Sequence, residues 1–182
     1  TNRLTNADNL IRGRGALGSN NMRLSNLAGG EIRADQPGFA LAVDPRDGAD
    51  GVVNQGLMTS VDGATLRLDA GIYNNAGGLV APVETATVLL SGADIRGGSV
   101  EIPAGGAVVC NNGTTSALGN GVALTVAADG VLRLNDNATL QLGSGTFANA
   151  GQVELKDDGA GGTATVSVTV ADVTLTGGGV VE

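Results

Sequence analysis

Leu24-Ser25-Asn26-Leu27-Ala28-Gly29-Gly30-Glu31-Ile32 joins two short apolar stretches through an Asn and a pair of glycines. Much the same arrangement returns in Val52-Val53-Asn54-Gln55-Gly56-Leu57, in Ile72-Tyr73-Asn74-Asn75-Ala76-Gly77-Gly78-Leu79 and in Phe147-Ala148-Asn149-Ala150-Gly151-Gln152-Val153. Each copy reads as a strand, a tight corner and a second strand. Asn and Gly suit the corner because both tolerate the left-handed backbone conformation. Short strands punctuated in this way build either a sandwich or a stack of coils, and a recurring period favours the stack.

The spacing does recur, imperfectly. From Asn54 to Asn74 is 20 residues, from Asn74 to Asn112 is 38 and from Asn112 to Asn149 is 37. The longer intervals are each about twice 19, with Leu90-Ser91-Gly92-Ala93-Asp94-Ile95 and Val126-Ala127-Ala128-Asp129-Gly130-Val131 near the midpoints. The expected architecture is all-β: a single-stranded parallel β-helix, or β-solenoid, with coils of about 19 residues. Nine or so coils at the strand spacing of a sheet make a rod on the order of 45 Å long. Right-handed coiling follows from the crossover preference of parallel strands. Asn26, Asn54, Asn74, Asn112 and Asn149 are expected at equivalent turns, forming a structural amide ladder. From Asn26 to Asn54 is 28 residues, about nine too many. The excess falls on Asp35-Gln36-Pro37-Gly38 and Asp44-Pro45-Arg46-Asp47-Gly48-Ala49-Asp50-Gly51, so a loop insertion is expected near 35–51.

Elsewhere the chain alternates apolar and polar residues over three to five positions, as in Val131-Leu132-Arg133-Leu134, Thr139-Leu140-Gln141-Leu142 and Val166-Ser167-Val168. No window keeps helical periodicity for three turns. Hydrophobic residues make up 42% of the chain and aromatics 2%, so Val, Leu, Ile and Ala must fill the interior. Side chains that small and uniform suit a narrow, repetitive core. The 182 residues therefore read as one solenoid segment.

The fragments "LSNLAGGEIRA", "VVNQGLM", "IYNNAGGLVAP" and "FANAGQVELK" resemble the I-x-N-x-G-x-I coils of filamentous haemagglutinin-like adhesins and autotransporter passenger domains. The opening "LTNADNLIRGRGALG" and closing "VTLTGGGVVE" resemble the boundaries of tandem units in giant exported bacterial repeat proteins of that kind. The resemblance spans most of the chain on short, degenerate motifs. It implies a parallel β-helix at the bacterial surface or secreted, with an adhesive or structural role and no catalysis.

Charge narrows the partners. Ten Lys and Arg against eighteen Asp and Glu give a net charge of −8, which repels nucleic acid and anionic membranes. Arg3, Arg12, Arg14, Arg23 and Arg33 are too scattered, and too poor in neighbouring aromatics, to make a nucleic-acid surface. No apolar run has the length of a membrane span. Absence of His removes the usual general base and the commonest transition-metal ligand. Carboxylates remain: Asp157 with Asp158, or Asp44 with Asp47 and Asp50, are the pairs a polysaccharide-cleaving β-helix would use. A carbohydrate-binding or carbohydrate-cleaving β-helix, with its site in the 35–51 loop, is accordingly the alternative function. Both clusters lie in Gly-rich turns, where solvated Asp is ordinary. Asp44, Asp47 and Asp50 are also the candidate calcium ligands, the only cofactor the sequence suggests.

Other features are weaker. Thr163, Thr165, Ser167, Thr169, Thr174 and Thr176 place hydroxyls on their strands, consistent with β propensity or with a Thr-x-Thr row. Gly13, Gly15 and Gly18 match G-x-G-x-x-G without the strand and helix that motif needs. Cys110 has no disulfide partner in the chain and reads as a small buried hydrophobe. Neither terminus reads as a cap, so the expected partners are neighbouring repeats or copies of the chain stacked end to end, with host or matrix glycans and proteins along the side.

Overall fold

The computed structural model describes residues 2–46, 51–156, 161–170 and 172–182. Its regular elements are strands alone, and every pairing is parallel between one coil and the next. Each turn of chain crosses three faces of a β-solenoid, with about seven turns in all.

The first face carries β1 (Arg3–Asn6), β4 (Arg23–Asn26), β7 (Val52–Asn54), the second half of β9 (Thr65–Asn74), the second half of β11 (Thr87–Arg96), β14 (Thr115–Leu118), β17 (Thr139–Leu142) and β20 (Thr165–Val168). The second face carries β2 (Leu10–Gly13), β5 (Glu31–Ala34), β8 (Leu57–Ser60), β10 (Leu79–Pro82), β12 (Ser99–Ile102), β15 (Ala123–Val126), β18 (Gly145–Asn149) and β21 (Val173–Thr176). The third carries β3 (Gly15–Leu17), β6 (Ala40–Val43), the first halves of β9 and β11, β13 (Ala107–Cys110), β16 (Val131–Leu134), β19 (Gln152–Leu155) and β22 (Val180–Val181). β9 and β11 each run round the corner from the third face to the first, which joins those faces into one fourteen-stranded sheet beside the eight-stranded second face. The turn inside β11 is a bulge at Ser91-Gly92, where Gly92 has φ 87°, a conformation that side chains disfavour.

Two-residue alternation sends one set of side chains inward, and pairing stacks them into columns. On the first face one column runs Leu4, Leu24, Val52, Tyr73, Ile95, Leu118, Leu142, Val168. On the second it runs Ile11, Ile32, Met58, Val80, Val100, Leu124, Phe147, Leu175. On the third it runs Leu17, Val43, Leu68, Leu90, Cys110, Leu134, Leu155. The inner rungs are sealed: Ile32, Val43, Met58, Leu68, Leu90, Ile95, Val100 and Leu134 have no solvent exposure. They belong to a single apolar core that runs from coil to coil. A buried aliphatic side chain contributes roughly 1.5–3 kcal/mol through removal from water, which is how so few aromatics suffice.

The coil length is about 23 residues, not the 19 expected, and each face stacks eight strands, about seven turns of chain from first to last, rather than nine coils. At about 4.8 Å per coil the rod is about 34 Å long. The miscount has a geometric cause. Asn-Gly corners occur at all three edges of the prism, so Asn-to-Asn distances mix edges. Asn74 follows the first face and Asn112 follows the third, so the 38 residues between them span one turn and two further faces, not two coils. Asn149 closes the second face, and the 37 residues from Asn112 again span one turn and two faces. Asn26 and Asn54 are in register 28 residues apart, against 20 and 21 on either side. β6 lies between a corner at 35–39 and the residues that follow it from Asp44 to Arg46, and 47–50 lie outside the described residues.

Candidate functional site

The most ordered polar feature is an amide chain at the edge between the first and second faces. Asn6 Nδ2 donates to Asn26 Oδ1 at 2.9 Å, Asn26 Nδ2 to Asn54 Oδ1 at 2.8 Å, and Asn54 Nδ2 to Asn75 Oδ1 at 2.6 Å. Asn75 Nδ2 ends the chain on the carbonyls of Gly78, Gly97 and Ser99. Asn26, Asn54 and Asn75 have no solvent exposure. Each amide thus donates to the next coil while satisfying the backbone that turns the corner, the condition under which buried polar groups stabilise rather than cost. Glycine is required beside it, since a Cβ on Gly78 would lie 2.5 Å from the Asn54 carbonyl oxygen and 2.6 Å from Asn54 Nδ2 and from Asn75 Oδ1.

Of the five Asn expected to form one ladder, only Asn26 and Asn54 stack on each other. Asn74 is exposed on the outer side of β9, and its neighbour Asn75 occupies the rung. Asn112 is exposed in the corner after β13. Asn149 is buried at a different edge, where Nδ2 donates to the Val180 carbonyl and Oδ1 accepts from the Gly151 N–H. The signal for the true set was the two-residue period. In Leu4-Thr5-Asn6, Leu24-Ser25-Asn26, Val52-Val53-Asn54 and Tyr73-Asn74-Asn75, each Asn lies two positions after an inward apolar residue of one column.

The carboxylate candidates are only partly described. Asp47, Asp50, Asp157 and Asp158 lie outside the described residues. Asp44 is half-buried, and its backbone holds the corner: its N–H donates to the Leu17 carbonyl and its carbonyl accepts from the Asn20 N–H. Among the described residues no three His, Cys, Asp or Glu side chains come together as a metal site. The arginines are divided among faces. Arg3 pairs with Arg23 on the first and Arg12 with Arg33 on the second, Arg33 holding Glu31 at 2.6 Å, while Arg14 lies 4.2 Å from the ring centre of the half-exposed Phe39. Thr165 stacks outward on Thr139 and Thr115, but Thr174 and Thr176 belong to the second face, so the hydroxyls form no single plane. Gly13 and Gly15 flank the β2–β3 corner and Gly18 follows β3, and among the described residues no helix follows them. Among the described residues no helix is long and apolar enough to cross a membrane.

Grooves exist on the sides. One of about 300 Å³ lies across the first face between Asp94, Arg96, Asn120, Gln141 and Thr169. Arg96 is bound to Asp94 on the same strand, which holds the guanidinium above its ordinary value. On the third face Arg133 Nε donates to Glu154 Oε2 at 2.6 Å, with Lys156 Nζ at 3.5 Å. The Arg133 hydrogen bond, opposed by burial and aided by Lys156, holds the Glu154 carboxyl below its ordinary 4.5. A lowered carboxylate stabilises the fold above its unfolded value and loses that contribution as pH falls. Because Arg133 is 39% exposed, solvent screening limits the effect. Arg133→Ala is expected to cost about 1 kcal/mol at neutral pH and to flatten the loss of stability below about pH 4.5, as followed by urea unfolding at several pH values.

The columns, edge ladder and parallel faces define the class: a three-faced parallel β-solenoid. Compared with protein-family models, with curated proteins and with solved structures, the chain matches none.

Proposed function

We propose that this chain is a structural and adhesive rod of a secreted or surface-exposed bacterial repeat protein, serving as a stalk or a filament-forming unit. The observation that carries the reading is the unbroken set of inward columns. Coil-to-coil hydrogen bonds on three faces and one apolar core among the described residues would share load along the axis. An architecture of this kind supplies length and stiffness, and its outward side chains remain free to vary without disturbing the core. The sequence resemblance to haemagglutinin-like adhesins supports the extracellular setting.

The test pairs a mechanical with a chemical measurement. Beads coated with the purified chain are expected to adhere to matrix-coated surfaces, and the chain to release no reducing ends from a panel of acidic and neutral polysaccharides. Polysaccharide turnover abolished by Asp44→Asn would overturn the structural reading in favour of a carbohydrate-cleaving β-helix.

A further inference from the structure

On the second face the ladder between β10 and β12 stops early. β8 and β10 pair over four rungs, and so do β12 and β15, but β10 and β12 pair over two, Leu79 with Ser99 and Val80 with Val100. Each residue of a parallel strand turns its N–H and C=O toward one neighbour, and alternate residues serve alternate neighbours. The Leu79 and Val83 N–H groups donate to the Gly56 and Ser60 carbonyls of the preceding coil, so Val80 and Pro82 serve the following one. The next bonds there would run from position 82 to the Glu101 carbonyl and from position 103 to the Pro82 carbonyl. Both positions are proline, which has no N–H, so neither bond forms and both carbonyls lack a ladder donor.

A groove of about 300 Å³ opens at this gap, between Ala81, Pro82, Val83, Glu101, Pro103 and Ala127. Its wall is mostly apolar, and Val83 is 45% exposed on it. The Glu101 carboxylate adds a negative charge. Glu84 and Asp129 stand exposed along the same edge, where the Thr85 N–H donates to the Gly105 carbonyl and the Gly105 N–H to the Asp129 carbonyl, stacking the three corners. Between positions 82 and 129 the one cationic residue is Arg96, which lies on the first face bound to Asp94. The groove thus combines an apolar wall, hydrogen-bond acceptors and negative charge, with no positive group of its own.

We infer that this groove receives a Lys or Arg side chain from a basic segment of a partner protein. The aliphatic stem of that side chain lies along Pro82, Pro103 and Ala127, and its cationic head donates to the Glu101 carboxylate and to the carbonyls that the prolines leave without ladder donors. Charge complementarity selects this occupant. An acidic segment is repelled by Glu84, Glu101 and Asp129, and a second copy of this chain carries the same net charge of −8. The inference deepens the adhesive reading above by giving the partner's chemistry, and it rests on that reading for its purpose.

Fluorescence anisotropy of a short labelled peptide of alternating Ala and Lys, titrated with the purified chain at low salt, tests it. The peptide is expected to bind, and the same peptide with Glu in place of Lys to show no binding. Glu101→Gln is expected to weaken binding about tenfold, and Pro103→Ala, which returns an N–H to the Pro82 carbonyl, about threefold. Asp94→Asn removes one negative charge on the first face and should leave the affinity unchanged. Circular dichroism establishes that the variants are folded, and should Pro103→Ala unfold, Glu101→Gln against Asp94→Asn decides. Absence of binding by the Lys peptide, equal binding of the two peptides, or equal losses in Glu101→Gln and Asp94→Asn would overturn the inference. Beads that fail to adhere although the peptide binds would remove the adhesive reading and leave the groove, whereas adhesion without peptide binding would remove the groove alone.

Discussion

Asn54→Ala is expected to destabilise the chain by about 3–4 kcal/mol, and Asn112→Ala by less than about 0.5 kcal/mol. The two positions look alike in the sequence, each an Asn before a Gly-containing turn. In the fold Asn54 is fully buried, receives a hydrogen bond from Asn26 and gives one to Asn75. Removing it breaks both and leaves Asn75 Oδ1 without its donor, and an unsatisfied buried acceptor costs about 1–3 kcal/mol on top of the lost bond. Asn26 Nδ2 keeps the carbonyls of Gly30 and Leu57, which limits the damage on that side. Asn112 faces solvent. Asn74→Ala should resemble Asn112→Ala, and Asn75→Ala should resemble Asn54→Ala. Urea midpoints of the four variants at pH 7 check the set, and equal losses at Asn54 and Asn112 would refute the amide chain as drawn.

Alkaline pH should unfold this protein earlier than its aliphatic core suggests. Cys110 stands in a column between Leu90 and Leu134, with no solvent exposure, and burial pushes its thiol from 9.0 up to about 12. Tyr73 reaches across the interior, its hydroxyl within 2.8 Å of the Val43 carbonyl and 2.9 Å of the Asp69 carbonyl. Burial, reinforced by the nearby Asp69 and Asp44 charges, pushes its phenol well above 10.0. Both groups are neutral when protonated and both are raised by folding. The unfolded chain therefore loses these protons first, so their contribution is intact below the unfolded values and is lost as pH rises toward the folded ones. For Cys110 the window runs from about pH 9 to about pH 12, and the shift corresponds to about 4 kcal/mol. Tyr73 adds to the fall above about pH 10. Cys110→Ala should lose about 1 kcal/mol at pH 7 through the small cavity, yet hold its stability flat through pH 9 to 10, where the unaltered chain already declines. Guanidinium melts between pH 7 and 11 decide. Identical slopes in the two proteins would show that the thiol is not sealed in the core.

Local pattern in the sequence was enough for the all-β class, for parallel stacking and for an aliphatic interior. Alternation in Val131-Leu132-Arg133-Leu134 or Thr139-Leu140-Gln141-Leu142 records which side of a strand is dry, and that preference is a property of a few adjacent residues. The 28-residue interval from Asn26 to Asn54 can be read off the sequence, and in the fold it stands beside intervals of 20 and 21. Coil length was not legible. Asn and Gly mark a corner through backbone conformation alone, which is the same at all three edges, so the sequence shows that a corner exists without showing which one. Tertiary pairing decided that Asn75 rather than Asn74 continues from Asn54, since only the column through Val52 and Tyr73 sets the phase. It also decided that Asn112 and Asn149 stand at other edges and that β9 and β11 carry one face into the next. Register is a relation between residues some 20 to 28 positions apart, and it becomes definite only when three faces must close around one core.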